Sequence, residues 1–234
     1  MRILGFLETS LVDWDGKITS VVFVGGCNFI CPFCHNHELA DDRADITPFD
    51  WPAIQVALLN KDKWLDGVVV TGGEPMMHPE VFRLCADIKQ LGKPVKLDTN
   101  GSFPYPLKQL IENQLIDFVA MDIKAPLDER YSAAAGRPID SGPLLRTVRL
   151  LKESGIDHEF RMTLVPGLIH PDDMLAVGRA IEGAPLVALQ HYNPERARIP
   201  GFGGRTYSRA DAAAMAEKLR PFVKSVILRG KWEA

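Results

Sequence analysis

The chain has 234 residues, of which 46% are hydrophobic and 24% are charged, and this composition is typical of a globular protein with one hydrophobic core. The 27 basic and 30 acidic residues leave a formal net charge of −3, which gives no reason to expect a nucleic-acid-binding protein. No apolar run reaches the length of a membrane-spanning helix, and the amino terminus lacks the apolar core of a signal peptide. We therefore expect a cytoplasmic protein that binds neither nucleic acid nor membranes.

Short apolar runs with strand character alternate with amphipathic helices along the chain. The first predicted strand, at 21–24, ends at a Gly-Gly pair, and Thr47-Pro48 predicts the start of a helix. After a strand at 67–71 comes a helix from about 79 to 92, which carries Cys85 on its apolar face. The remaining predicted elements are strands at 94–98, 118–122, 159–165, 186–190 and 225–228, and helices at 107–113, 144–155, 171–181 and from Ser208 onward.

This alternation predicts the α/β class, with a parallel sheet covered by helices. We count about six βα units, fewer than the eight of a closed barrel, and therefore expect a partial, open TIM-like barrel made by one domain, 1–234. Polar and glycine-rich segments follow the strands, and the carboxyl ends of parallel strands share one edge of the sheet. We expect the functional site at that edge. Its segments are the cysteine loop 27–34, 72–75, 98–101, 122–124, Arg161 with 165–167, and 190–194.

Three of the four cysteines lie in the cysteine loop, in the pattern C-x3-C-x2-C formed by Cys27, Cys31 and Cys34. Thiolates on one short loop can face one metal centre. A cubane iron–sulfur cluster normally takes four cysteines, so three would leave one iron open to an exchangeable ligand, as in catalytic metal sites. Two alternatives stay open on this pattern alone: a structural zinc site completed by His35 or His37, or ordinary buried cysteines.

The cysteine pattern, with Phe33 before its last member, resembles the signature of the radical S-adenosylmethionine (SAM) superfamily. The segment Gly72-Gly73-Glu74-Pro75, at the end of the next strand, resembles the second motif of that superfamily. The resemblance implies that the three cysteines bind a 4Fe–4S cluster and that the amino and carboxylate groups of SAM bind the fourth iron. It also implies that reduction of the cluster cleaves SAM and yields a 5′-deoxyadenosyl radical.

Further motifs resemble the activases of glycyl radical enzymes, a group that includes the activators of pyruvate formate-lyase and of anaerobic ribonucleoside-triphosphate reductase. They are Cys34-His35-Asn36, 98–101, 121–124, Arg161 with 165–167, and the opening segment 5–17. This resemblance implies that the protein substrate is a glycyl radical enzyme, with anaerobic ribonucleotide reductase as the expected partner. It implies a flavodoxin or ferredoxin as the electron donor.

The resemblance also implies roles for individual residues. Phe33 would shield the cluster and lie against adenine, whereas Gly72, Gly73 and Glu74 would hold the SAM amino group. The other candidates are Asp98 and Asp122 as ligands of a monovalent cation, Lys124 and Arg161 as partners of the SAM carboxylate, and His191 as a contact of the ribose or of the entering peptide. Each of these residues also has a structural alternative. Phe33 could pack in the core, the acidic residues could form caps or turns, the basic residues could form ion pairs, and His191 could be a structural histidine.

A loop rich in glycine and arginine, 193–209, follows the sixth strand, and we call it the arginine loop. We expect it either to contact a protein substrate or to be a solvated loop. Two other functions stay open at this point. One is a radical SAM enzyme that acts on a small molecule, and the other is a zinc-stabilised binding module without redox function.

Overall fold

The computed structural model describes residues 1–232. Its strands are β1 (Ile3–Ser10), β2 (Thr19–Val24), β3 (Gly67–Gly72), β4 (Val95–Thr99), β5 (Phe118–Asp122), β6 (Asp157–Thr163), β7 (Val187–Gln190) and β8 (Val226–Arg229). Its helices are α1 (His37–Ala40), α2 (Trp51–Leu59), α3 (Val81–Gln90), α4 (Pro104–Glu112), α5 (Tyr131–Ala135), α6 (Gly142–Ser154), α7 (Asp173–Ala180) and α8 (Arg209–Leu219). No helix among these residues combines the length and the apolar character needed to cross a membrane.

The eight strands form one sheet in the order in which they occur along the chain. β1 is antiparallel to β2, whereas β2 with β3, β3 with β4, β6 with β7 and β7 with β8 are parallel pairs. Each of the strands β2 to β7 is followed by a helix, which gives the six βα units expected. Because β1 and β8 are not neighbours in this order, the sheet is open, and the predicted α/β class with an open, TIM-like sheet is confirmed.

The edge strand β1 is not predicted by the sequence pattern. It pairs with β2 on one side only, and its central residues Leu7, Glu8 and Thr9 are exposed. A buried parallel strand gives a continuous apolar run, and a half-buried strand gives an alternation. β1 gives neither pattern, because its exposed residues Leu7, Glu8 and Thr9 are consecutive and its buried residues are at the two ends.

The start of α2 differs from the prediction. Thr47-Pro48 was expected to begin this helix, but it begins at Trp51, with Asp50 at the N-cap and Pro52 in the first turn. The expectation is wrong because the preceding segment is bound elsewhere. The backbone N–H of Phe49 donates to the carbonyl of Ile3 at 2.7 Å, and this bond holds the residues before α2 against β1.

The described chain divides into two compact units. The first comprises residues 1–28, 36–99 and 105–119, and the second comprises 29–35, 100–104 and the residues from 120 onward. In the first unit Trp14, Val21 and Val69 form a buried cluster, with Phe23 and Phe118 packed against it. In the second unit α6 buries the apolar face that its sequence predicts, Leu144, Val148 and Leu151, and ends at a left-handed Gly155. The assignment of 1–234 to one domain stays a prediction.

Candidate active site

The backbone before Cys27 packs tightly against the glycines that end β3. A Cβ atom added to Gly73 would lie 1.8 Å from the carbonyl oxygen of Gly26, and one added to Gly72 would lie 2.3 Å from that of Val24. The N–H of Glu74 donates to the carbonyl of Gly26 at 2.8 Å. Side chains at either position would push the two segments apart. The Gly-Gly pair therefore fixes where the cysteine loop begins.

The later part of the cysteine loop is held by the second unit. The N–H of Ile30 donates to the carbonyl of Ala135 at 2.8 Å, and the left-handed Gly136 would place a Cβ only 2.0 Å from the carbonyl oxygen of Ile30. The N–H of Cys34 donates to the carbonyl of Cys31 at 3.2 Å and closes a tight turn between them. The backbone at Ile30 is thus held by a glycine contact as close as the contact between Gly73 and Gly26.

All four cysteines are free thiols. Cys31 is buried, and Cys27 and Cys34 are half-buried. Their thiolates are the soft sulfur ligands that an iron–sulfur cluster requires. Burial raises the pKa of the Cys31 thiol, and the nearby charge of Lys124 opposes that shift. Within residues 1–232 no three His, Cys, Asp or Glu side chains are grouped closely enough to hold a single metal ion.

Glu74 is fully buried and is fixed through Oε1. This oxygen accepts hydrogen bonds from the N–H of Met76 at 3.0 Å and from the hydroxyl of Thr99 at 2.8 Å. The contact with Met76 caps a short 3-10 turn, so the alternative of a capping carboxylate is observed. The contact of Glu74 with the SAM amino group stays a prediction. Thr99 is a supporting residue that the sequence reasoning did not assign. The only feature of the sequence that could have indicated a role for Thr99 is its position in the Asp-Thr-Asn-Gly segment that ends β4.

Asp98 lies on the same strand as a buried lysine. The ammonium Nζ of Lys96 lies 3.9 Å from Oδ1 of Asp98, and both side chains are almost completely buried. Lys96 was not assigned by the sequence reasoning, because a lysine within an apolar strand pattern gives no hint of its partner. The proposed cation ligand Asp98 therefore has a cationic partner from its own strand.

Asp122 has two cationic partners in the second unit. The Nε of Arg161 donates to Oδ1 at 2.8 Å, and the Nζ of Lys124 lies 3.4 Å from Oδ2. Burial opposes ionisation of Asp122, but the charges of Arg161 and Lys124 outweigh it and lower the pKa of the carboxyl. The ion-pair alternative for the two basic residues is thus observed. Contact with the SAM carboxylate stays a prediction for both.

Aromatic contacts connect the end of the cysteine loop with the end of β7. The ring of His35 stacks on Tyr192, with centroids 5.7 Å apart and planes at 6°, and Phe33 meets the same tyrosine edge-on at 6.5 Å. Nε2 of His35 also lies 3.0 Å from the carbonyl oxygen of Asn193. His35 is thus engaged in a structural contact, and Phe33 makes the packing contact offered as its alternative.

His191 packs its ring against Trp232, with centroids 5.0 Å apart. Its backbone N–H donates to the carbonyl of Arg229. A packed ring of this kind is compatible with the alternative of a structural histidine. Its role toward a ribose or a peptide stays a prediction.

The arginine loop is bonded to the cysteine loop. The N–H of Ile199 donates to the carbonyl of Pro32 at 3.0 Å, and the hydroxyl of Tyr192 donates to the carbonyl of Phe202 at 2.8 Å. Arg196 and Arg205 are exposed, and neither forms an ion pair with any residue of the described chain. The arginine loop therefore carries exposed arginines and is hydrogen-bonded to the cysteine loop.

Residues 21–177 match the family model of the radical SAM superfamily. The chain belongs to that superfamily. Radical SAM enzymes carry a 4Fe–4S cluster and use SAM, so these two predicted cofactors are confirmed and the zinc-stabilised module is excluded. The monovalent cation and the residue assignments stay predictions.

Two relatives extend the comparison of this radical SAM protein. It is 30% identical over 202 residues to a Methanocaldococcus jannaschii protein whose name describes a glycyl-radical enzyme activating enzyme, and the alignment spans 83% of this chain and 81% of the relative. It is 31% identical over 184 residues to pyruvate formate-lyase-activating enzyme from Streptococcus mutans, spanning 73% and 68% of the two chains. The predicted resemblance to activases is therefore confirmed.

The fold is also similar to that of SuiB from Streptococcus suis, whose structure was solved with S-adenosylmethionine bound. The TM-score is 0.68 at 14% identity, and the match covers 90% of this chain and 52% of SuiB. The chain thus spans about half the length of SuiB, and the likeness concerns the fold alone.

Proposed function

We propose that this radical SAM enzyme is an activase that generates a glycyl radical on a partner enzyme. The observation that carries the proposal is the alignment with the M. jannaschii activating enzyme over 83% of the chain. A 4Fe–4S cluster held by Cys27, Cys31 and Cys34, once reduced by one electron from an external donor, would supply the electron for reductive cleavage of SAM to methionine, and with it the capacity to remove a hydrogen atom from the Cα of a partner glycine. The remaining steps belong to the residues of the chain.

The binding roles follow the resemblance. Cys27, Cys31 and Cys34 hold the cluster, and Phe33 shields it from solvent. Glu74 positions the SAM amino group, since its carboxylate is already fixed by Thr99 and by the Met76 N–H. The backbone at Gly72 and Gly73 permits close approach of the ligand. A mobile carboxylate loses conformational entropy when it binds a cationic amino group. The carboxylate of Glu74 is already held in place, so it can orient the amino group with a smaller loss.

Lys124 and Arg161 bind the carboxylate of SAM. Together with Asp122 they form a group that keeps a net positive charge, because one carboxylate meets two cations and its lowered pKa keeps it ionised. Asp122 also restrains the guanidinium of Arg161, so that its remaining N–H groups have a fixed direction. His191 contacts the ribose or the entering peptide from the end of β7.

The arginine loop docks the partner. Its Arg196 and Arg205 are exposed, and Ile199 connects the loop to the cysteine loop. Positive charge near the reaction centre attracts an acidic segment of the partner and raises the rate of encounter. Anaerobic ribonucleotide reductase is the first proposed partner, and a flavodoxin or ferredoxin is the proposed electron donor.

The test is anaerobic reconstitution with SAM and dithionite, followed by two measurements. The first is formation of 5′-deoxyadenosine, and the second is the glycyl-radical EPR doublet on anaerobic ribonucleotide reductase or pyruvate formate-lyase. Cys34→Ser should abolish both signals, whereas the matched control Cys85→Ala should keep both, because Cys85 is buried on α3 away from any assigned role. Production of 5′-deoxyadenosine without a radical on either partner would favour the rival function, an enzyme with a small-molecule substrate.

A further inference from the structure

The helix that follows β5 begins with a tyrosine that has no part in the function proposed so far. Tyr131, the first residue of α5, is one of the largest side chains that the fold buries completely. Its hydroxyl accepts a hydrogen bond from the backbone N–H of Lys124 at 3.3 Å and donates to the carbonyl of Asp122 at 3.4 Å. The hydroxyl thus uses both its acceptor and its donor on the segment that carries two residues of the candidate site.

This hydroxyl continues the hydrogen bonding of β5 beyond the last residue of the strand. On one side, the N–H of Ile123 donates to the carbonyl of Arg161 in β6 at 2.8 Å. Because successive residues of a strand direct their backbone groups to opposite sides, the carbonyl of Asp122 and the N–H of Lys124 face away from β6. The hydroxyl of Tyr131 gives these two groups a partner where a neighbouring strand would otherwise supply one.

The ring of Tyr131 connects the same residue to the cysteine loop. It meets the ring of Phe29 edge-on, with centroids 6.4 Å apart and planes at 69°. One turn later in α5, the carbonyl of Ala135 accepts the hydrogen bond from the N–H of Ile30. All these residues belong to the second unit. The helix α5 therefore holds both the cysteine loop and the end of β5, and Tyr131 contacts both.

We propose that Tyr131 is a positioning residue for Lys124: its hydroxyl fixes the backbone of Lys124, and its ring is braced against Phe29. The ammonium of Lys124 lies 3.4 Å from Oδ2 of Asp122, and it is close enough to Cys31 for its charge to act on the pKa of that thiol. A lysine side chain is long and mobile, so a fixed backbone lowers the entropy that is lost when its ammonium binds a ligand. The inference rests on the proposed function, because it gives Lys124 the carboxylate of SAM as that ligand.

The first arm of the test measures amide hydrogen exchange by NMR in the cluster-free protein, so it does not depend on SAM cleavage. Tyr131→Phe removes the hydroxyl and keeps the ring. It should speed exchange of the Lys124 N–H about tenfold, through the loss of one hydrogen bond, and leave Ile123 and Ile30 within about twofold of wild type. Tyr131→Leu also removes the ring, and it should speed exchange at Ile30 as well.

The second arm measures formation of 5′-deoxyadenosine by the reconstituted enzyme as the SAM concentration is varied. Tyr131→Phe should raise the KM for SAM about five- to tenfold, whereas kcat and iron content stay within about twofold of wild type. The reason is that the hydroxyl positions a binding group and touches no reacting atom. The control Val148→Ala shortens a buried side chain on α6 in the same unit, and it should lower the melting temperature without changing the KM.

Three results would overturn the proposal. The first is an unchanged KM for SAM in Tyr131→Phe. The second is equal acceleration of exchange at Ile123 and Lys124, which would indicate a general opening of the segment. The third is exchange of the Lys124 N–H in the wild type as fast as that of an exposed amide, and this measurement needs no variant to fold. Absence of 5′-deoxyadenosine with the wild type would instead count against the proposed function, and the exchange arm would still test the hydroxyl.

Discussion

Substitution of Gly73 by alanine tests whether the end of β3 positions the cysteine loop. The added methyl carbon would lie 1.8 Å from the carbonyl oxygen of Gly26 and 3.3 Å from the backbone nitrogen of Cys27. Since favourable carbon contacts lie near 3.5 Å, relief requires a shift of more than about 1 Å. Overpacking of this kind destabilises proteins by about 1–3 kcal/mol, and loss of the hydrogen bond between Glu74 and Gly26 adds about 1 kcal/mol. We expect a total of about 3 kcal/mol.

Two assays measure this effect. Urea denaturation of the cluster-free protein gives the free energy of unfolding, and the iron content after reconstitution reports whether the displaced loop still binds a cluster. Gly92→Ala is the control, because its Cβ would meet no atom within 4 Å, although its φ of 73° gives a backbone strain of about 1 kcal/mol. An unfolding free energy for Gly73→Ala within about 1 kcal/mol of wild type, with full iron content, would refute the reasoning.

The remaining predictions concern charge and reactivity. Arg161→Met should lower stability at neutral pH and weaken its acid dependence, because the lowered pKa of Asp122 gives stability that is present above about pH 4 and is lost as the pH falls through the folded-state pKa. Native Cys85, whose pKa burial raises to about 12, should resist alkylation at pH 8 in mass-spectrometric footprinting, whereas the half-buried Cys27 and Cys34 of cluster-free protein react. Arg196→Glu/Arg205→Glu should raise the KM for the partner about tenfold in a radical-yield assay.

Control variants and measurements distinguish these specific effects from a general loss of stability or folding. Arg83→Glu reverses an exposed arginine on α3, whose side chain is 88% exposed, and should leave the KM for the partner unchanged. Equal affinities in the double reversal and in Arg83→Glu would contradict docking at the arginine loop. An unaltered acid-denaturation curve for Arg161→Met would contradict the ion pair with Asp122. Rapid alkylation of Cys85 in the folded protein would show that α3 opens readily.

The strands and their terminal motifs were predictable from the sequence because buried parallel strands leave continuous apolar runs. The run 67–71 and the segment that ends it are examples. The helix after them, α3, ends at Gln90, and the left-handed Gly92 that was predicted to stop it follows its C-cap Leu91. β1 was not predictable because an exposed edge strand leaves no such pattern. The start of α2 was misplaced because a proline signal at Pro48 was overridden by the contact between Phe49 and Ile3.

The candidate site was predictable as a set of residues but not as a set of contacts. The spacing of the cysteines and the Gly-Gly-Glu segment are local in sequence, and their chemistry can be inferred from a short stretch. Ion pairs depend on which strands become neighbours, so the sequence left the partners of Lys124 and Arg161 open. Lys96 lay outside every motif. The neighbours of its ammonium, Asp13, Asp98 and Phe118, are known only from the fold.

The close packing at Gly72 and Gly73 affects how a Gly-Gly-Glu segment in a related sequence is interpreted. Both residues lie so near the carbonyls of Val24 and Gly26 that the backbone itself excludes any side chain. A descendant of this protein that lost its radical chemistry but kept its fold would still need both glycines. Within the Gly-Gly-Glu segment, the two glycines are therefore required by the fold whether or not SAM binds beside them. Glu74 and the three clustered thiols are the residues that would distinguish a catalytic relative from one that has kept only the fold.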